Sequence, residues 1–169
     1  IDLLAANPAL LDDPQGGAIG EIVIVAYEPA FGIIGNPMKK NPTTRQSADH
    51  SMAYIVSTLV RKALEHKSGL MTESTSDDWW KALMLSPYDY KVDDSAVFHP
   101  VTRKLMDKIT FTHGGPEYDA KYPDGIPTSV KIDGHDSGLV MYPAGHARNT
   151  SADLEGILRH KWGMLGAIA

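Results

Sequence analysis

The chain has 169 residues, 43% of them hydrophobic and 22% charged, a composition that supports one domain with its own core. A formal net charge of −5 and a pI near 5.7 argue against a nucleic-acid-binding surface, which needs a basic face, so local cations suit a small anion better than a polyanion. The absence of cysteine excludes disulfides, thiolate metal sites, cysteine-ligated iron–sulfur clusters and cysteine nucleophiles within this chain.

No apolar run reaches the length of about 18 residues expected of a membrane span, and the start lacks the charged and apolar regions of a signal peptide. The chain opens at Ile1 and reads as a piece of a longer polypeptide. Ile1 to Leu11 is apolar around Pro8, and DDPQGG, from Asp12 to Gly17, is turn chemistry. Ile19 to Tyr27 (IGEIVIVAY) is rich in β-branched residues and predicts a central strand covered on both faces. Glu28 to Asn41, with two glycines and two prolines, predicts a long loop of the kind that often carries function.

Pro42 to Leu64 is the organising helix of this reading. Met52, Ile55, Val56, Leu59, Val60, Ala63 and Leu64 recur at helical spacing, so one face should be buried. Thr43, Thr44, Ser47 and Asp49 supply capping oxygens ahead of it. Around the same start cluster Lys39, Lys40, Arg45 and His50, where exposed amides and the macrodipole already favour an anion. The carboxylate of Asp49 stands next to His50. The alternatives are solvated surface lysines and a capping Asp beside a packed His.

His66 to Ser76 is polar and predicts an exposed connection. Ser76 then caps the short helix DDWWKALML, in which the adjacent Trp79 and Trp80 must face different ways; Pro87 closes the segment. His99 and Pro100 open the helix VTRKLMDKI, Ile109 to Thr112 alternates as a strand, and His113 to Thr128 is a Gly- and Pro-rich loop. Ser129 to Ile132 and Leu139 to Tyr142 flank an Asp-Gly pair, a hairpin signal. The last segment has a cap at Thr150 or Ser151 and then Leu154, Ile157, Leu158, Lys161, Trp162 and Leu165 at helical spacing. His146 and Arg148 precede this helix as Arg45 and His50 surround the first. Two cation-bearing helix entrances hint at anion binding. The element order fits an α+β fold with helices against one face of a mixed or antiparallel sheet.

No zincin, P-loop, nucleophile-elbow or dinucleotide motif is present. The seven histidines are not paired at helical spacing, so no metal site is expected, and His135 with Asp136 belongs to a turn. What survives is cations and imidazoles suited to a multiply carboxylated substrate. Arg offers a planar fork and His a proton-transfer group near neutrality.

The segment NPTTRQSADHSMAYIVSTLV resembles the P-x-TR-x-x-ADHS-x-x-Y pattern of the MmgE/PrpD family, and within it the 2-methylcitrate dehydratases. WKALMLSPYDY, TRKLMDKITF, KYPDGIPTSVKI and SGLVMYPAGHARNTSADLEGILRHKWGMLG look like the fungal-type branch of that group. The blocks follow in order over nearly the whole chain.

The resemblance implies a large all-helical domain with a smaller α+β domain inserted into it; residues 1–169 look like that smaller domain alone, with the helical domain absent. It implies a cofactor-independent hydro-lyase that dehydrates 2-methylcitrate to 2-methyl-cis-aconitate in the methylcitrate cycle of propionate catabolism. The enzyme would be a homodimer with its site between the two domains, intracellular, and in the mitochondrial matrix for the fungal-type branch. In the related cis-aconitate decarboxylases a Lys and a His near the matching loop line the site. On this reading Arg45 and Lys39 or Lys40 bind carboxylates, and His50 transfers a proton or orients the substrate with Asp49. His146 and Arg148 form a second group. The other reading is a catalytically inactive fragment with an interaction role, exposing the apolar patch that once met the helical domain.

Overall fold

A computed structural model of the chain describes residues 1–70 and 75–168. In order it comprises α1 (Asp2–Ala6), a 3₁₀ turn (Pro8–Leu11), β1 (Ile22–Ala26), a π turn (Ala30–Ile34) and a second 3₁₀ turn (Pro37–Lys39). Then come α2 (Arg45–Asp49), α3 (Met52–Leu70), α4 (Ser76–Leu83), a third 3₁₀ turn (Pro87–Tyr90) and α5 (Pro100–Asp107). The chain finishes with β2 (Ile109–His113), α6 (Pro116–Asp119), β3 (Thr128–Ile132), β4 (His135–Asp136) and α7 (Leu154–Gly166). This is the α+β class that the element order predicted. Among the described residues no helix is long and apolar enough to cross a membrane.

The four strands form one mixed sheet in the order β2-β1-β3-β4. β1 is central, parallel to β2 (Ile22 opposite Ile109) and antiparallel to β3 (Ile22 opposite Ile132). Because side chains alternate across a strand, Ile22, Ile24 and Ala26 share one face, and all three are buried. Ile22 and Ile24, with Ile109 and Ile132, pack in one core with Val60, Leu64 and Leu105 of α3 and α5.

The opposite face departs from the expected double cover. Val23 and Val25 are half-buried there and lie in register with Thr110, Thr112 and Lys131, while Lys131 pairs with Asp136 at 3.1 Å. One end of this face is closed by α6, whose Tyr118 shares a 2.8 Å hydrogen bond with Ser129. A side chain at Gly114 would collide with the Tyr118 ring, so the close approach requires glycine.

The hairpin signal at Asp133-Gly134 is a tight turn with both residues at positive φ, as a two-residue connection between twisted strands demands. The strand it pairs with β3, however, is His135–Asp136, expected in the turn, rather than Leu139–Tyr142, from which Val140 makes a single bridge to Thr128. The carboxylate of Asp133 accepts hydrogen bonds from the amides of Gly20 and Glu21 at 2.8 to 3.0 Å, which fixes the entry to β1.

The organising helix is two helices. α2 ends at Asp49, and α3 starts at Met52 behind the buried Ser51, whose hydroxyl accepts from the Tyr54 amide at 3.2 Å. The buried side of α3 is also rotated from the expected stripe. Ala53, Tyr54, Ser57, Val60, Arg61 and Leu64 are buried, while Met52, Ile55, Val56 and Leu59 are half-buried. Arg61 is kept inside by Glu65 at 2.7 Å and Asp89 at 3.5 Å, and Lys62 reaches the same Asp89 at 3.1 Å.

α3 runs on to Leu70, into the stretch expected to be an exposed connection, and residues 71–74 of that stretch lie outside the described residues. Thr75, one residue before the predicted Ser76, caps α4 in a reciprocal box with Asp78. Trp79 is buried and Trp80 half-buried, matching the expected division between them. The cap of α7 is Asp153 rather than Thr150 or Ser151. Its apolar spacing does not make core, since Ile157 alone is buried on it while Leu158 is 45% and Trp162 71% exposed.

Candidate functional site

The elbow between α2 and α3 holds the densest group of sequence-derived candidates. Thr44 and Ser47 cap each other's amides at 3.1 and 2.9 Å, a reciprocal box that starts a helix after Pro42. Arg45 and Asp49, four residues apart, project from the same side of this one-turn helix, and both are exposed. The guanidinium of Arg45 has no hydrogen bond or ion pair among the described residues.

His50 follows at the helix end, with Nδ1 2.9 Å from the carbonyl oxygen of Gln46. A carbonyl only accepts, so Nδ1 carries the proton, and Nε2 of the neutral ring is left with its lone pair on the exposed side.

Tyr90 is the residue at this elbow that sequence reasoning missed. Its ring lies 5.9 Å from that of buried Tyr54. Burial first, and then the neighbouring Asp49 carboxylate, push the phenol up to about 12. It therefore stays protonated and donates toward Asp49. The available signal was Ser86-Pro87-Tyr88-Asp89, whose reciprocal cap sets the 3₁₀ turn that presents Tyr90.

The lysines ahead of the elbow differ in environment. Lys40 donates to the carbonyl oxygens of Ile109 at 2.9 Å and Asp107 at 3.4 Å, so its ammonium closes the α5–β2 junction. Lys39 is half-exposed and makes no such contact among the described residues. Arg103, not singled out from sequence, holds the approach to α2 by donating to the Asn41 side chain and the Pro42 carbonyl, and to Val97 at 2.8 Å.

His146 and Arg148 lie in a separate loop. Nδ1 of His146 accepts from the Arg148 amide at 3.1 Å, and its ring lies 5.1 Å from that of Tyr142. The Arg148 guanidinium is ion-paired with Asp124 and donates to the Asp124 carbonyl at 3.3 Å, which takes up its charge locally. No hydrogen bond or ion pair among the described residues joins this loop to Arg45, Asp49 or His50.

A second histidine group is assembled where β1 and β2 end. Nε2 of His113 lies 2.9 Å from Asp119 and 3.5 Å from Glu28. Asp119 also accepts from the Glu28 amide at 2.8 Å. That amide, and then the imidazole, hold the Asp119 carboxyl below its ordinary range. The contact brings His113 and Asp119, six residues apart, together with Glu28, 91 residues before Asp119. Among the described residues no three His, Asp or Glu side chains are placed to hold a metal ion.

Chemically, the elbow offers a fixed imidazole as a base, an unpartnered guanidinium for a carboxylate and a protonated phenol behind Asp49. Arg45, Asp49 and His50 are all exposed there, and grooves of about 400 and 460 Å³ elsewhere are lined by none of the seven candidate residues.

Residues 9–162 match the family model of the MmgE/PrpD C-terminal domain. A comparison with curated proteins finds no match.

Proposed function

Because the chain belongs to the MmgE/PrpD family, whose C-terminal domain it matches over residues 9–162, we propose that it is the α+β part of a cofactor-independent hydro-lyase. The substrate of this reading is 2-methylcitrate and the product 2-methyl-cis-aconitate, in the methylcitrate cycle. A base removes a proton from carbon, its electron pair forms the double bond, and the C–O bond breaks as the hydroxyl leaves with a proton as water. The carboxylates need cations, since charge develops beside them as the proton leaves.

The observation that carries the reading is the fixed ring of His50, with Nε2 available, on the short element that bears the unpartnered Arg45. His50 is the proton-transfer group, oriented with Asp49, and Arg45 binds a carboxylate together with Lys39. Lys40 is the less suited lysine because its ammonium is already engaged. His146 and Arg148 are a secondary group. The exposure of Arg45, Asp49 and His50 fits half of a cleft, completed by a helical domain in a homodimer; the intracellular setting, in the mitochondrial matrix for a fungal-type enzyme, belongs to the same reading.

The test is steady-state kinetics on a polypeptide that carries this chain with the helical domain. His50→Ala should lower kcat by about 10² or more, the span of a general acid–base group, and Arg45→Ala should mainly raise KM. Normal turnover in both variants would remove the assignment. The exposed Leu158 and Trp162 favour one second reading, a fragment that acts by binding another protein through α7. A native mass above that of a monomer in the presence of such a protein, with no dehydration of 2-methylcitrate by either form, would select it.

A further inference from the structure

Between α4, the Pro87–Tyr90 turn and α7 runs an open groove of about 460 Å³. Its apolar lining includes Met84, Met164 and Ile168, and its basic groups are Lys62, Lys81 and His160. Lys62 is already used, because its ammonium donates to the Met84 carbonyl at 2.7 Å and pairs with Asp89 at 3.1 Å. Lys81 and His160 make no hydrogen bond or ion pair among the described residues, and both are half-exposed on the groove.

The geometry points to a binding site for an amphiphilic monocarboxylate, a short alkyl or aryl acid whose head meets Lys81 and His160 while its tail lies on Met84, Met164 and Ile168. A doubly or triply charged acid is disfavoured, because its further carboxylates would be desolvated against the methionines. Two thioethers suit a tail of variable shape, since methionine adapts to what it covers. The two basic groups come from α4 and α7, so an occupant would also tie the exposed C-terminal helix to the body of the domain. This site shares no residue with the elbow, and its test needs no dehydratase activity.

The experiment is isothermal titration of the 169-residue chain with octanoate, paired with ¹H–¹³C spectra of the methionine methyls. Saturable one-site binding is expected, with shifts confined to Met84 and Met164. Lys81→Met keeps the apolar stem and removes the charge, and it should weaken binding about tenfold, the worth of one charge-assisted hydrogen bond. Octanol should bind correspondingly more weakly, and Lys121→Met, at a lysine that does not line the groove, should leave binding unchanged. A citrate titration monitored at the same methyls should leave them unmoved. No saturation with octanoate, equal binding by Lys81→Met or by octanol, or shifts centred on other methionines would overturn the proposal. Failure of the groove leaves the His50 and Arg45 kinetics untouched.

Discussion

The ammonium of Lys40 donates to the carbonyl oxygen of Ile109 at 2.9 Å, tying the turn before α2 to the first residue of edge strand β2. Lys39, its sequence neighbour, has no equivalent contact among the described residues, so two adjacent lysines divide into a structural one and a free one. Lys40→Met should cost about 1–2 kcal/mol of stability, the scale of a charge-assisted hydrogen bond at a partly buried site. Lys39→Met should stay within about 0.5 kcal/mol. Urea denaturation of both variants checks this, and equal losses would contradict the division.

The Arg61, Lys62 and Asp89 cluster makes a sharper stability prediction. The three side chains are 8%, 13% and 12% exposed, and Asp89 also accepts from the Ser86 amide at 2.8 Å. Asp89→Ala leaves Lys62 without its carboxylate and Arg61 with Glu65 alone, and should cost about 3 kcal/mol, the lower end of the usual result of breaking a buried pair from one side. Arg61→Met should cost much less, because it removes a charge whose Nε has no partner among the described residues. Thermal unfolding of both variants measures the contrast.

Stability should fall towards acid in two stages. His99 is held below its ordinary 6.5, first by burial and then by Arg61. The unfolded chain therefore takes up that proton before the folded chain does, and stability declines as pH drops below about 6.5. Asp119 is held below its ordinary 3.8 by the Glu28 amide and His113. Its contribution is present above that value and is lost as pH falls through the lower folded value. Denaturant midpoints against pH should flatten near pH 6 in His99→Gln and at the acid end in Asp119→Asn; unchanged profiles would remove the assignments.

On the alkaline side burial raises Tyr27, Tyr54 and Tyr90. With the Tyr90 phenol pushed up to about 12 from 10, its stabilising effect is whole below pH 10 and disappears as pH rises towards 12. Tyr90→Phe should lose the late step from the ultraviolet phenolate titration of the folded protein. A spectrum that keeps that step would assign it to another tyrosine.

The α7 helix divides in the same manner as the lysines. Ile157→Ala should cost about 2–4 kcal/mol, as for a buried aliphatic side chain. Trp162→Ala, on a residue 71% exposed, should stay within about 0.5 kcal/mol. Iodide should quench Trp162 fluorescence while sparing Trp79, which is 3% exposed.

Local chemistry was legible wherever its partners were local. The β-branched run around Ile24, the alternation after Ile109 and the Asp133-Gly134 turn each announced their structure, and the ADHS block carried the family. The break at His50 was also present in the sequence, as Ser51 standing behind Ser47 and Asp49, but a continuous apolar periodicity hid it. The rotated face of α3 was not legible, because the Asp89 that helps to hold Arg61 inside belongs to the distant Pro87–Tyr90 turn. Lys40 looked like a ligand group because its acceptors lie 67 and 69 residues away. In the His113, Asp119 and Glu28 group the same reason hid Glu28, which lies 91 residues before Asp119. In α7 the spacing was right and the burial wrong, since periodicity records an apolar stripe and not what covers it.

The parallel pairing of β1 with β2 joins segments separated by nearly half of the chain, since Ala26 ends one and Ile109 begins the other. A nascent polypeptide leaving the ribosome holds β1 without either neighbour until all the helices from α2 to α5 have been made. Contacts this distant in sequence slow the search for the native arrangement. During that interval the Ile22–Ala26 edge is open on both sides and dependent on α3 for shelter, which makes early docking of α3 the step that decides between productive folding and association with other chains.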